Sequence, residues 1–340
     1  MTRDFRFGWG ALAELPDVLA EIGLERPVVV TTKRGRAQAA GIAASAVFDG
    51  VRPHVPVASV DDAARVVRAT DADGLIGLGG GSAIDTCKAV TVALLADGRQ
   101  LKTVAVPTTY AGAEWTPYFG IRDEAAGTKR GGADERARPV AAVYDPALTV
   151  ELPRADTAGT AMNALAHCAE ALYATGRSDR ADRHAYAGAR AISYALPLAV
   201  DDGRSVYARS RLLEGAMRAA WALDEGGMAL GHAMAQAIGG RYGIPHGAAN
   251  AVCLPPALRF NAEVAPSAVA RLADAMTVDD PIARVEELAR LGGFERLRDL
   301  GVPEDGLEEV AELAAARPAT RANPRPATSA DIAELLRSVW

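Results

Sequence analysis

Apolar positions in the first 150 residues follow two alternating rhythms. The β-branched run at 27–32 (PVVVTT) is the sort buried on both faces of a parallel sheet, and shorter apolar runs at 75–78 and 103–106 read as further strands. Between them, segments 11–22, 34–44 and 60–70 place apolar residues three and four apart, the spacing of one helix face. Residues 5–9 alternate like a strand, 46–48 read as another short one, and Ile84, Cys87, Lys88, Val90 and Leu94 again keep helical spacing. Residues 120–143 read as a hairpin with Lys129 and Arg130 in its loop, and Asp145 with Pro146 ends the sheet. Strands alternating with helices predict an α/β fold, a doubly wound parallel sheet with ligands at the carboxyl ends of its strands.

From about Pro153 the pattern changes to long alanine-rich amphipathic segments without β-branched runs, which predict a helical domain. Two domains, 1–152 and 153–340, suit a chain of 340 residues. Near the end, 317–328 is rich in Pro, Ala and Arg and reads as a loop or extended crossing, and Thr328 with Asp331 has the spacing of a capping box for a last helix at 331–339.

Composition narrows the partners. Hydrophobic residues make up 49% and charged residues 24%, enough for a core and a soluble surface, and the net charge of −6 argues against nucleic acid or an anionic membrane. The N-terminus lacks the apolar core of a signal peptide, and no stretch reaches the roughly 18 apolar residues of a membrane span. Cys87, Cys168 and Cys253 form no CxxC pair and read as buried free thiols in a reducing compartment, so a cytoplasmic location is expected. A homodimer is the base-rate expectation.

Candidate chemistry gathers in both halves. Between strand 75–78 and the next helix stand Gly79, Gly80, Gly81 and Ser82, where a backbone without Cβ atoms lets an anion approach the N–H groups of a helix N-terminus. The spacing matches neither GxGxxG nor GxxxxGK[ST], so the loop reads either as a structural turn or as a pyrophosphate site. The polar loop opening with Thr108, Thr109 and Tyr110 follows the next strand, and the strand before them ends in Thr31, Thr32, Lys33 and Arg34. Lys33 and Arg34 stand where an NAD site often has an acidic residue, which tolerates NADP(H) or merely solvates a loop. In the helical half, Asn163 and His167, then His232 and Gln236, are pairs four residues apart, and His246 follows a proline at a turn. A lone histidine is commonly a core or surface residue, but three of the five histidines at such places point to an active site.

Taken together these segments resemble the iron-containing alcohol dehydrogenase superfamily, which includes the dehydroquinate synthase-like proteins. The resemblance is carried by FGWGAL at 7–12, GLGGGSAIDTCKA at 77–89, PTTYAG at 107–112, NALAHCAEALYA at 163–174 and GHAMAQAIGGRYGIPHG at 231–247. PTTYAGAEWTPYFGI at 107–121, TKR at 128–130, YDPALT at 144–149 and NPRP at 323–326 are most similar to the maleylacetate reductase branch. The resemblance implies a Rossmann-like N-terminal domain, an all-α C-terminal domain, a cleft between them, and NADH or NADPH as cofactor. It implies reduction of maleylacetate or a similar acidic enone, with Gly79, Gly80, Gly81, Ser82, Thr108, Thr109, Tyr110 and Thr32 at the cofactor. It further implies His232, His246, His167 and Lys129 in catalysis and Asn163 at a small acidic substrate, where Gln236 and Arg241, which depart from the branch's pattern, are also expected.

Metal-dependent members use an Asp and three His, and the matching positions here hold Asn163, His167, His232 and His246. A neutral amide is a poorer ligand than carboxylate, and Asn at this place resembles the reductase branch, which implies no metal. Three histidines alone still suit Zn²⁺ with an open position, which keeps a metal-dependent alcohol or aldehyde oxidoreductase as the alternative. Asn163 and Gln236, the latter where the branch usually carries His, leave a third reading: a nucleotide-binding protein without catalysis.

Overall fold

The structure is a computed structural model that describes residues 4–124 and 128–340; the side chains of residues 128–130 also lie outside the described residues. The chain separates into two compact units, Met1–Glu151 and Leu152–Trp340.

In the first unit, β1 (Asp4–Phe7) leads through a 3₁₀ turn into α1 (Leu15–Glu21), followed by β2 (Pro27–Val30), α2 (Arg36–Ala39), β3 (Ala46–Phe48) and α3 (Val57–Arg68). β4 (Gly74–Gly79), α4 (Gly81–Leu95) and β5 (Lys102–Pro107) then form the central βαβ unit. A hairpin of β6 (Tyr118–Asp123) and β7 (Thr128–Ala133) precedes β8 (Ala141–Tyr144). The main sheet is parallel, in the order β1-β8-β5-β4-β2-β3. Every residue of β2, β4 and β8 is buried, as strands covered by helices on both faces require. Gly79 pairs with Pro107, so the loops after β4 and β5 leave the sheet side by side.

Two of these expectations are revised and a third holds. Segment 34–44 is helical only at Arg36–Ala39, because Gly35 opens it and Gly41 interrupts it. The hairpin ends at Ala133, and the fully buried AAVY run is instead β8, placed between β1 and β5 in the main sheet. Asp145 does close the sheet, and its carboxylate accepts N–H bonds from Gly10, Leu12 and Ala147, which ties the β1 turn to the end of β8.

The second unit is helical: α5 (Arg154–Ala171), α6 (Asp179–Asp201), α7 (Val206–Gly226), α8 (Leu230–Tyr242) and α9 (His246–Asn261) come first. α10 (Pro266–Met276), α11 (Pro281–Arg290), α12 (Leu307–Ala315), α13 (Pro318–Arg321) and α14 (Ser329–Ser338) follow. Alanine and glycine let these helices approach closely: a Cβ on Gly188 would meet Cys168 Sγ at 2.6 Å, and one on Gly247 would meet the Gly159 carbonyl oxygen at 2.3 Å. α13 lies inside the stretch expected as a loop, started by Pro318 at its first turn. The capping box of Thr328 and Asp331 is present at α14.

Candidate active site

The predicted cofactor residues meet at the carboxyl ends of three adjacent strands. Gly80 caps α4 with no side-chain hydrogen bond, and the Thr108 N–H reaches back to the Gly79 carbonyl at 3.0 Å. Gly79 has φ of 153°, and a Cβ on Gly80 would stand 2.9 Å from Thr109 Cγ2, so the loop accepts nothing larger than glycine without moving β5's loop. Thr109 Oγ1 is buried beside it with no hydrogen-bond partner among the described residues. An uncapped helix start, closely packed glycines and an orphaned hydroxyl suit the phosphates of a dinucleotide. Thr32 follows β2, where its hydroxyl accepts the Gly35 N–H at 3.2 Å. Tyr110, next to Thr109, is fully buried.

Sequence reasoning saw Lys88 only as a helical position. Its ammonium is fully buried and donates to Tyr118 O at 2.7 Å, Thr116 Oγ1 at 3.2 Å and Asp85 Oδ1 at 3.2 Å, fastening the β6–β7 hairpin to α4. Burial lowers its pKa, and Asp85 opposes that shift.

In the second unit three helices bring three histidines together. His167 and His232 stack, with ring centroids 4.6 Å apart and planes 13° apart, and His246 lies 5.7 Å from His232. Glu170, one turn after His167 on α5, is fully buried and reaches the start of α8. Its carboxylate accepts from the Ala229 N–H at 2.7 Å, the His232 N–H at 3.1 Å and His232 Nδ1 at 2.7 Å. It thereby caps α8 and fixes the His232 proton at Nδ1. His232 Nε2 and His167 Nδ1 are buried without a hydrogen-bond partner among the described residues. Burial first, and then His232, hold the His167 pKa well below its usual range, so this ring is neutral.

Asn163 and His246 are linked through Asn250, whose Nδ2 lies 2.8 Å from Asn163 Oδ1 and 3.1 Å from His246 Nε2. Glu170 and Asn250 were both missed from sequence, although Glu170 is three residues after His167 and Asn250 four after His246, spacings that share a helix face.

The remaining expectations divide. Gln236 is one turn beyond His232, and its Oε1 accepts from Arg317 Nη1 at 3.1 Å. Arg241 is corrected: it is exposed and bonded to Glu309 at 2.9 Å rather than placed with the histidines. Lys129 lies on β7, but its side chain is outside the described residues.

Among the described residues no group of three or more His, Cys, Asp and Glu side chains is placed to hold a metal ion. His167 Nδ1 and His232 Nε2 have no partner among the described residues, whereas Glu170 is taken up by α8 and His232, and Asn250 lies against Asn163 Oδ1 and His246 Nε2.

Two family models match the chain: "Iron-containing alcohol dehydrogenase" over residues 2–146 and "Fe-containing alcohol dehydrogenase family, C-terminal" over residues 157–340. The maleylacetate reductase of Pseudomonas knackmussii is 38% identical over 315 residues, 91% of this chain and 88% of that protein. The crystal structure of maleylacetate reductase from Agrobacterium tumefaciens has a TM-score of 0.89 at 34% identity, covering 100% of this chain and 97% of the other. That of an iron-containing alcohol dehydrogenase from Corynebacterium glutamicum has a TM-score of 0.91 at 30% identity, covering 100% and 95%.

Proposed function

Because the chain belongs to the iron-containing alcohol dehydrogenase family, we propose that it is an NAD(P)H-dependent oxidoreductase of the maleylacetate reductase kind, acting without metal. The substrate is an acidic enone such as maleylacetate, reduced at its carbon–carbon double bond to a 3-oxoadipate-like ketone. The reduced nicotinamide, when bound, supplies the hydride to the carbon β to the ketone. The observation that carries this reading is the buried Glu170–His232 pair, which fixes the ring and leaves its Nε2 without a hydrogen-bond partner among the described residues.

Gly79, Gly80, Gly81 and Ser82 bind the pyrophosphate against the start of α4, with Thr108, Thr109 and Thr32 beside them. In the second unit, with substrate bound, His232 acts as an imidazolium held at Nδ1 by Glu170 and donates from Nε2 to the enolate oxygen as charge develops there, and the proton passes on to the carbon α to the ketone, which completes the reduction. His167 is neutral and orients His232 by stacking rather than supplying charge. Asn250 holds His246 and Asn163 as polar contacts for the substrate. Lys129 is retained as a cation for a substrate carboxylate. The three buried free thiols support a cytoplasmic location, no described helix is long and apolar enough to cross a membrane, and the assembly is a homodimer by base rate.

A second reading, a metal-dependent alcohol or aldehyde oxidoreductase, is favoured by the unpartnered His232 Nε2 and His167 Nδ1, which are able to act as imidazole ligands. Initial rates of NADPH and NADH oxidation decide between the two, with maleylacetate and with simple aldehydes, before and after EDTA and with Zn²⁺ or Fe²⁺ added. Turnover of maleylacetate indifferent to EDTA supports the reductase. Aldehyde turnover that appears only with metal contradicts it.

A further inference from the structure

A dicarboxylate reductase needs a cation for the carboxylate remote from the reacting carbon, and Arg241 is held by Glu309 instead. Arg317, just before α13, is placed differently. It is partly buried over α8, where Nη1 donates to Gln236 Oε1 at 3.1 Å and Nη2 to the Gln236 carbonyl at 3.2 Å. Its Nε is buried without a hydrogen-bond partner, and it makes no ion pair with a carboxylate among the described residues. Burial alone shifts its pKa, downward, with no acidic group opposing the shift.

A partly buried guanidinium on neutral acceptors is electrostatically incomplete. Desolvation penalises the charge, and two amide oxygens return less than one carboxylate would. The free Nε edge has the planar geometry that a carboxylate meets with two parallel hydrogen bonds. Gln236 links this guanidinium to the histidines, because it stands four residues after His232 on α8, about 5–6 Å away between Cβ atoms. Its amide nitrogen contacts Met228 Sδ at 3.7 Å, which fixes the amide with its oxygen toward Arg317.

We infer that Arg317, positioned by Gln236, is the subsite for a substrate carboxylate and makes the enzyme selective for dicarboxylates over monocarboxylates. The inference rests on the acidic-enone reading above. Arg317 binds substrate directly; Gln236 is a positioning residue.

The test uses the full chain and two measurements, so that this inference and the reductase reading fail separately. Calorimetric binding of adipate, a dicarboxylate without an enone, is measured with NADP⁺ present for wild type, Arg317→Gln and Arg317→Lys, alongside melting temperatures. KM and kcat for maleylacetate are measured on the same proteins. Losing a charge-assisted pair weakens binding by about 10- to 100-fold, so Arg317→Gln is expected to lose adipate binding to that extent. Arg317→Lys recovers part of it, and the loss in turnover falls on KM more than on kcat. Equal adipate binding by wild type and a folded Arg317→Gln overturns the inference, as does no binding to wild type. If Arg317→Gln does not fold, adipate binding by a folded Arg317→Lys equal to wild type overturns it as well. Failure of wild type to reduce maleylacetate while adipate binding still depends on Arg317 removes the reductase reading and leaves the carboxylate subsite standing.

Discussion

Glu170 does two things through one carboxylate: it terminates two N–H groups at the start of α8 and holds the Nδ1 proton of His232. His232→Asn removes the ring nitrogen proposed to face the enolate, and kcat for the enone is expected to fall by about 10²- to 10⁴-fold with NADPH affinity unchanged, measured by initial rates and fluorescence titration. Glu170→Ala leaves buried donors unpaired, so denaturant unfolding is expected to show a loss of about 3–5 kcal/mol, against less than 1 kcal/mol if the carboxylate were only a neighbour. His167 supplies a pH dependence. Its folded pKa lies well below the unfolded value of 6.5, so below that pH the unfolded chain binds more protons. Stability from this group is therefore level above about pH 6.5 and falls beneath it, by up to about 1.4 kcal/mol per unit. His184, held to about 4 by burial and by Arg218, Arg180 and Arg183, acts in the same direction with less weight because it is only partly buried. Unfolding of His167→Gln between about pH 6.5 and 5 should show a shallower decline than wild type; an identical slope rules this source out. Glu170 and Asn250 were legible in principle, as neighbours on the helix faces of His167 and His246. Arg317 was not, since a lone Arg among Pro and Ala carries no periodicity that sets it apart from Arg321 or Arg325.

At the scale of elements, the β4–α4–β5 unit shows why pattern and structure agree where they do. Apolar runs covered on both faces admit one backbone, and glycine at position 80 is required by the contact with Thr109. Gly80→Ala places a methyl 2.9 Å from Thr109 Cγ2 and is expected to raise the KM for NADPH about tenfold or more while leaving the β4 core intact; an unchanged KM would remove the loop from the cofactor site. β8 was misread because apolar runs of four residues say that a strand is buried without saying which partner buries it: its neighbours β1 and β5 lie far away in sequence. The short helix α13 was missed for a different reason, since Pro318 reads as a breaker yet is favoured in a first helical turn.

At the scale of the molecule, the change from β-branched runs to alanine-rich helices was visible in composition, and the sheet and the helical bundle follow it. What the pattern could not supply was charge placement between distant residues: Arg241 and Glu309, 68 positions apart, pair at the surface, while Arg317 has no carboxylate partner among the described residues. The central claim is a metal-free hydride transfer to the enone carbon of an acidic substrate. It is tested most directly by incubating EDTA-treated protein with maleylacetate and NADPH deuterated at the nicotinamide C4, then locating deuterium in the product by NMR. The account predicts deuterium on the carbon β to a retained ketone. Deuterium on a carbinol carbon, or transfer that appears only when metal is restored, would contradict it.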